Sequence, residues 1–140
     1  MTRLGFCILA FAIVAGCATM SDVIQSKDQG ISKTYSVTFD QAWTITKAVF
    51  RWEGADAIEE HKDERYMLTS SGMNLVTAGT VMGAWIDPTA DGQMRVTVVT
   101  KRRIQTNMFT SLTETTFHKR FAQAVEIVKV GKPLPPVPPD

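Results

Sequence analysis

The residues with the clearest chemistry stand near the start of the chain. Val14-Ala15-Gly16-Cys17 places a branched apolar residue and two small residues directly before a cysteine. Small side chains let a peptidase approach the backbone, and the Cys17 thiol is the nucleophile that accepts a diacylglycerol. The pattern is that of a lipobox, with signal cleavage between Gly16 and Cys17 and lipidation at Cys17. The preceding run supports it. Arg3 is the only charge before an uncharged stretch, Leu4 to Gly16 (LGFCILAFAIVAG), of signal-peptide length. That stretch is shorter than the roughly 20 apolar residues of a membrane span. Residues 1–16 therefore read as a lipoprotein signal peptide. Ala18 follows the cysteine; in enteric-type bacteria Asp at that position favours the inner membrane and Ala does not. The expected location is the cell outer membrane, lipid-anchored on its periplasmic face.

Other reactive side chains converge less. His61 and His118 are the two histidines. His118 lies four residues after Glu114, one helical turn on, and reads as a solvent-facing partner of that carboxylate. A zinc site needs three or four ligands, and the sequence places no third. Ser70 and Ser71 precede Gly72 without a nucleophile elbow, and no phosphate-cradling or dinucleotide-binding glycine pattern occurs. The acidic run Glu59, Glu60, Asp63 and Glu64 is interrupted by His61, Lys62 and Arg65, against the regular oxygen spacing of a calcium loop. The sequence therefore implies no metal, no cofactor and no enzyme.

Two features remain for binding. Lys101-Arg102-Arg103 is the densest basic cluster, suited to anionic head groups, cell-wall polymer or an acidic partner face. The alternative is a charged strand end that blocks edge pairing. Trp85, beside Gly83 and Ala84, could anchor a partner if exposed, or simply belong to the core.

Loss of the signal removes Arg3, so the 15 basic and 14 acidic residues become equal in number. A balanced chain offers no general field for nucleic acid. Cys7 leaves with the signal and Cys17 is taken by lipid, so no disulfide is available.

The elements that position these residues follow from pattern. Residues 17–33 carry the lipid and a polar, unpatterned tether, able to extend at most about 50–58 Å. A single domain is expected over residues 34–130. Thr34 to Phe39 alternates as a half-buried strand, and Asp40 stands at the N-cap of a helix over Gln41 to Glu53. That helix sets Ala42, Thr46, Val49 and Phe50 on one face and Thr44, Lys47 and Arg51 on the other, with Gly54 as its stop. Asp56–His61 and Arg65–Ser71 form a hairpin, Gly79–Ile86 a third run, and Met94–Arg103 the most β-branched strand. Ser111 and Glu114 fit a capping box opening a helix with Phe117, Phe121, Ala124, Val125 and Val128 on one face. Residues 131–140 hold five of the six prolines and form an extended Pro-rich tail.

The order β-α-β-β-β-β-α predicts an α+β two-layer sandwich, with both helices on one face of a mostly antiparallel sheet of four or five strands. Its core draws on Phe39, Trp43, Val49, Phe50, Phe117, Phe121 and Val125. With the lipobox, the tether and the segment Tyr35-x-Val37-x-Phe39-Asp40-Gln41-Ala42-Trp43, the chain resembles small bacterial lipoprotein domains of uncharacterised families. More loosely it resembles the repeated domain of BamC, an accessory lipoprotein of outer-membrane β-barrel assembly. It departs from BamC in having one such domain and no long N-terminal segment. The resemblance implies a helix-on-sheet fold.

The expected role is a membrane-anchored, non-enzymatic binding or assembly module whose partner is an envelope protein or the cell wall. A small-ligand carrier for lipid or glycan is the alternative. Metabolic palmitate labelling should mark the wild-type protein and leave Cys17→Ser unlabelled. Equal labelling of both would refute the lipobox reading.

Overall fold

In a computed structural model, residues 19–73, 78–102 and 113–140 are described; Gly16, Cys17 and Arg103 lie outside them. The elements are α1 (Met20–Gln25), a 3-10 turn (Lys27–Gln29), β1 (Ile31–Tyr35), α2 (Phe39–Trp52), β2 (Ala55–His61), β3 (Tyr66–Met73), β4 (Ala78–Pro88), β5 (Met94–Arg102) and α3 (Glu114–Lys129). The strands form one antiparallel sheet in the order β1-β5-β4-β3-β2, so the fold is α+β.

β2 to β5 pair in sequence order, β3 with β4 through Leu68↔Gly83. β2 pairs with β3 through Glu59↔Leu68 and His61↔Tyr66, and β4 with β5 through Ala84↔Val98 and Ile86↔Val96. β1 adds to the far side of β5, with Ile31 opposite Val98. Alternation along the strands then separates two apolar sets. Met67, Met82, Ala84, Ile86, Val96 and Val98 face α2 and α3. Leu68, Val81, Trp85 and Val99 face the other way, against Val23 of α1.

The main core lies between the sheet and the long helices. Ala42, Ile45, Val49 and Phe50 of α2 and Phe117, Phe121, Ala124 and Val125 of α3 are buried in it, with Phe50 and Phe117 ring centroids 5.5 Å apart. Phe39 is half-buried at its edge and Trp43 is buried. Each fully buried large apolar side chain contributes roughly 1.5–3 kcal/mol.

Several sequence expectations are corrected by the coordinates. Residues 19–33 are not an unstructured tether. Thr19 and Asp22 form a capping box at the start of α1, Val23 is fully buried, and β1 begins at Ile31. Val23 sits over Gly83: a Cβ built there would lie 2.6 Å from Val23 Cγ1 and 2.8 Å from the Trp85 ring. One apolar residue in a polar stretch creates no periodicity, so this contact left no pattern to read.

The first expected strand stops at Tyr35. Val37 turns into the core, and the cap of α2 is Thr38 rather than Asp40. The Thr38 hydroxyl accepts from Gln41 N (3.2 Å), while Gln41 Oε1 accepts from Thr38 N (2.9 Å). This reciprocal box outweighs the single carboxylate cap, and Asp40 falls in the first turn, where the helix dipole favours it. Gly54, at φ 83°, follows the C-cap of α2. For α3 the cap is Thr113; Ser111 lies outside the described residues. Glu114 does not return to its own helix, because its carboxylate accepts from Thr100 N of β5 at 2.8 Å.

His118 is likewise not a solvent-facing partner of Glu114. It is 1% exposed and joins α3 to β1. The Ile31 carbonyl can only accept, so His118 Nε2 carries the proton and donates to it (2.9 Å), leaving Nδ1 to accept from Tyr35 Oη (2.8 Å). Tyr35 also packs on Phe121, ring centroids 4.4 Å apart. Burial pushes the Tyr35 phenol well above its ordinary value. Burial also lowers the His118 pKa; Lys33 acts in the same direction, and the Ile31 hydrogen bond and Glu114 oppose it.

The lowered His118 pKa fixes a pH dependence. The unfolded chain takes up the proton near pH 6.5, whereas the folded chain resists until lower pH. Stability is therefore complete above that unfolded value and is lost as pH falls below it. Urea midpoints measured from pH 7.5 down to pH 5.5, a window chosen about the ordinary histidine pKa, should decline for the wild type. The decline should be markedly smaller in His118→Gln, and equal declines would refute the assignment.

Candidate functional site

The outer face of α2 presents Thr44, Lys47, Ala48 and Arg51 at helical spacing, away from the sheet. The chain beyond α3 returns to this face. Gly131, at φ 72°, turns the backbone after α3, with Lys132 N donating to Ile127 O (3.2 Å). Residues 134–136 then run beside α2. Trp52 Nε1 donates to Pro135 O at 2.9 Å, Leu134 packs against the main core, and Arg120 donates to Pro139 O. The Pro-rich tail is thus docked rather than free. Its prolines lack backbone donors and restrict the chain before docking, so little conformational entropy is lost on ordering it.

Between helix and tail lies a groove of about 370 Å³, walled by Trp43, Trp52, Leu134, Pro135 and Pro136 and edged by Lys47 and Arg51. The charges on this edge are organised from β2. Glu60 accepts from Lys47 Nζ at 2.6 Å and from Trp43 Nε1 at 2.8 Å. Lys47 first, and Trp43 with it, hold the Glu60 carboxyl below its ordinary range. Arg51 is exposed and makes no direct ion pair among the described residues, though its charge adds to the field that keeps Glu60 ionised. Its guanidinium is available to a carboxylate or other planar anion. Apolar walls with an exposed guanidinium at the edge suit an extended segment carrying both apolar and acidic groups.

A second cleft, of about 310 Å³, lies on the opposite side of the sheet and is lined by Lys27, Asp28, Gly30, Ser32, Asp87, Arg95 and Thr97. Much of its polarity is internally matched. Lys27 pairs with Asp87 at 3.0 Å, and the Ser32 and Thr97 hydroxyls lie 2.7 Å apart.

The sequence candidates are scattered. Lys101 is half-buried and donates to Gln29 Oε1 at 3.0 Å, and Arg102 is exposed at the end of β5. Trp85 is not an exposed anchor: it is 5% exposed beneath α1, beside Tyr66 and with Lys27 Nζ 5.9 Å from its ring. Small neighbours in its strand leave room for α1, not for a partner. His61 stacks on Tyr66 (centroids 4.5 Å apart) and meets Glu59 Oε1 at 2.5 Å. The acidic run is divided by strand alternation, with Glu60 toward α2 and Glu59 toward His61. Among the described residues no group of three or more His, Cys, Asp or Glu side chains is placed to hold a metal. Ser70 and Ser71 are ladder residues opposite Val81 and Thr80.

The groove was not named from sequence. The available signal was Leu134 and Trp52, apolar residues on otherwise polar stretches, but the partner of each lies more than 80 positions away. Comparisons with family models, with curated proteins and with solved structures find no match to this chain.

Replacing Trp52 by Phe keeps an aromatic wall and removes the donor to Pro135. The loss should be about 0.5–1.5 kcal/mol in chemical unfolding, with faster proteolysis within residues 133–140. Unchanged tail cleavage would show that this bond does not hold the tail.

Proposed function

We propose that this chain is a lipid-anchored protein of the bacterial envelope, acylated at Cys17 and held at the periplasmic face of the outer membrane. On this reading its α2–tail groove binds an extended segment of an envelope protein. The observation that carries the binding role is the exposed Arg51 guanidinium beside apolar walls made by two tryptophans and the tail. The tail itself illustrates the kind of chain that fits: extended, proline-rich and held through main-chain carbonyls by Trp52 and Arg120. Anchoring contributes independently, because a shared membrane raises the effective concentration of groove and partner. The module acts by binding and requires no catalytic group.

A carrier of a small lipid or glycan is the second reading. The groove volume of about 370 Å³ favours it, falling in the lower part of the range typical of small-molecule sites. Photocrosslinking amino acids at positions 44, 51 and 136, tested in intact cells, separate the two. Defined protein adducts from positions 51 and 136, lost on Arg51→Glu with a photoprobe at 136, support the module. Adducts containing lipid or glycan alone would favour the carrier. Protein adducts equally strong from position 95, in the cleft across the sheet, would refute the groove assignment.

A further inference from the structure

α1 does more than fill space under the sheet. Thr19 caps it, its Val23 is fully buried against Gly83 and Trp85, and Ser26 is buried at its end. The 3-10 turn continues the contact, with Lys27 on Asp87 and Gln29 on Lys101. Only Ala18 separates Thr19 from Cys17. Two residue steps span at most about 7 Å, so the attachment point of an acyl chain would lie within that distance of a helix packed on the sheet.

From this geometry we propose that the α1 face of the sheet lies directly on the bilayer surface, with the α2–tail groove turned toward the aqueous space. This rests on the lipid-anchor reading and deepens it. A free tether of the length expected from residues 18–33 would let the domain adopt any orientation. A docked α1 removes that freedom, because the chain enters the fold immediately after the anchor.

The side chains on this face are arranged compatibly. Ser21, Ile24 and Gln25 are exposed on α1, Ile24 at 42%. Asp22 is occupied by the Thr19 cap, its carboxyl held low by those bonds and by the nearby Lys101 charge. Lys27 and Asp87 neutralise one another. Asp28 and Arg95 are exposed, and Lys101 lies near the Asp22 carboxylate, so cations and carboxylates are mixed on this face and the acyl chain beside α1 sets the orientation. The groove lies across the sheet, beyond α2, because α1 and α2 occupy opposite faces.

The mature chain has no cysteine besides Cys17, so single reporters can be placed in the full-length lipidated protein. Fluorophores at Ser21→Cys and Arg95→Cys mark the proposed membrane side; Thr44→Cys and Glu126→Cys mark the far side. Each protein is reconstituted in phosphatidylethanolamine–phosphatidylglycerol vesicles containing a headgroup nitroxide quencher. The far positions stand off by the sheet and helix layers, about 20 Å, so quenching at 21 and 95 should exceed that at 44 and 126 at least about twofold. Protein that floats with vesicles but shows equal quenching at all four positions overturns the orientation while sparing the anchor. Protein that fails to float removes the anchor and the orientation with it.

Discussion

The structure depends on one constraint: the central strands β4 and β5 carry apolar side chains on both faces. Ala84, Ile86, Val96 and Val98 point one way, and Val81, Trp85 and Val99 the other. A sheet with one wet face needs a single layer of helices. Here the second face also requires cover, and α1 supplies it with Val23 inserted where Gly83 has no side chain. The expected two-layer sandwich thus gains a small third layer. Its six-residue helix is too short to be stable alone, so it exists because the sheet provides its other half.

The edges are held by polar contacts spanning long sequence distances. His118 accepts from Tyr35 and donates to the carbonyl of Ile31, joining α3 to the outermost strand. Glu114 caps nothing in its own helix but receives the Thr100 amide. At the other end of α3 the tail crosses to α2 through Trp52 and Arg120. Both chain ends of the described domain are therefore docked, on opposite faces of the sheet. That arrangement gives the molecule two distinct sides, one adjoining the proposed anchor and one carrying the groove.

Much of the helix-facing architecture was legible in the sequence. The apolar faces of α2 and α3, the hairpin at Lys62–Arg65 and the β-branched run of β5 each follow from a local period, because those side chains share one large core. All seven aromatic and aliphatic residues assigned to that core by pattern pack in or against it. The cap positions shifted by two residues for α2, because Thr38-x-x-Gln41 satisfies two backbone donors where Asp40 offered one.

The amino-acid sequence by itself determined the α+β class and the order β-α-β-β-β-β-α of the elements from β1 onward. These depend on nearest-neighbour chemistry and on periods of two and 3.6 residues. Tertiary structure alone decided the burial of Trp85 and His118, the docking of α1 and of the Pro-rich tail, and the groove beside Arg51. Each of those rests on a contact between distant segments: Val23 with Gly83, Tyr35 with His118, Trp52 with Pro135. A single buried valine or one indole hydrogen bond leaves no period in the chain, so its meaning arises only when folding brings the partner to it.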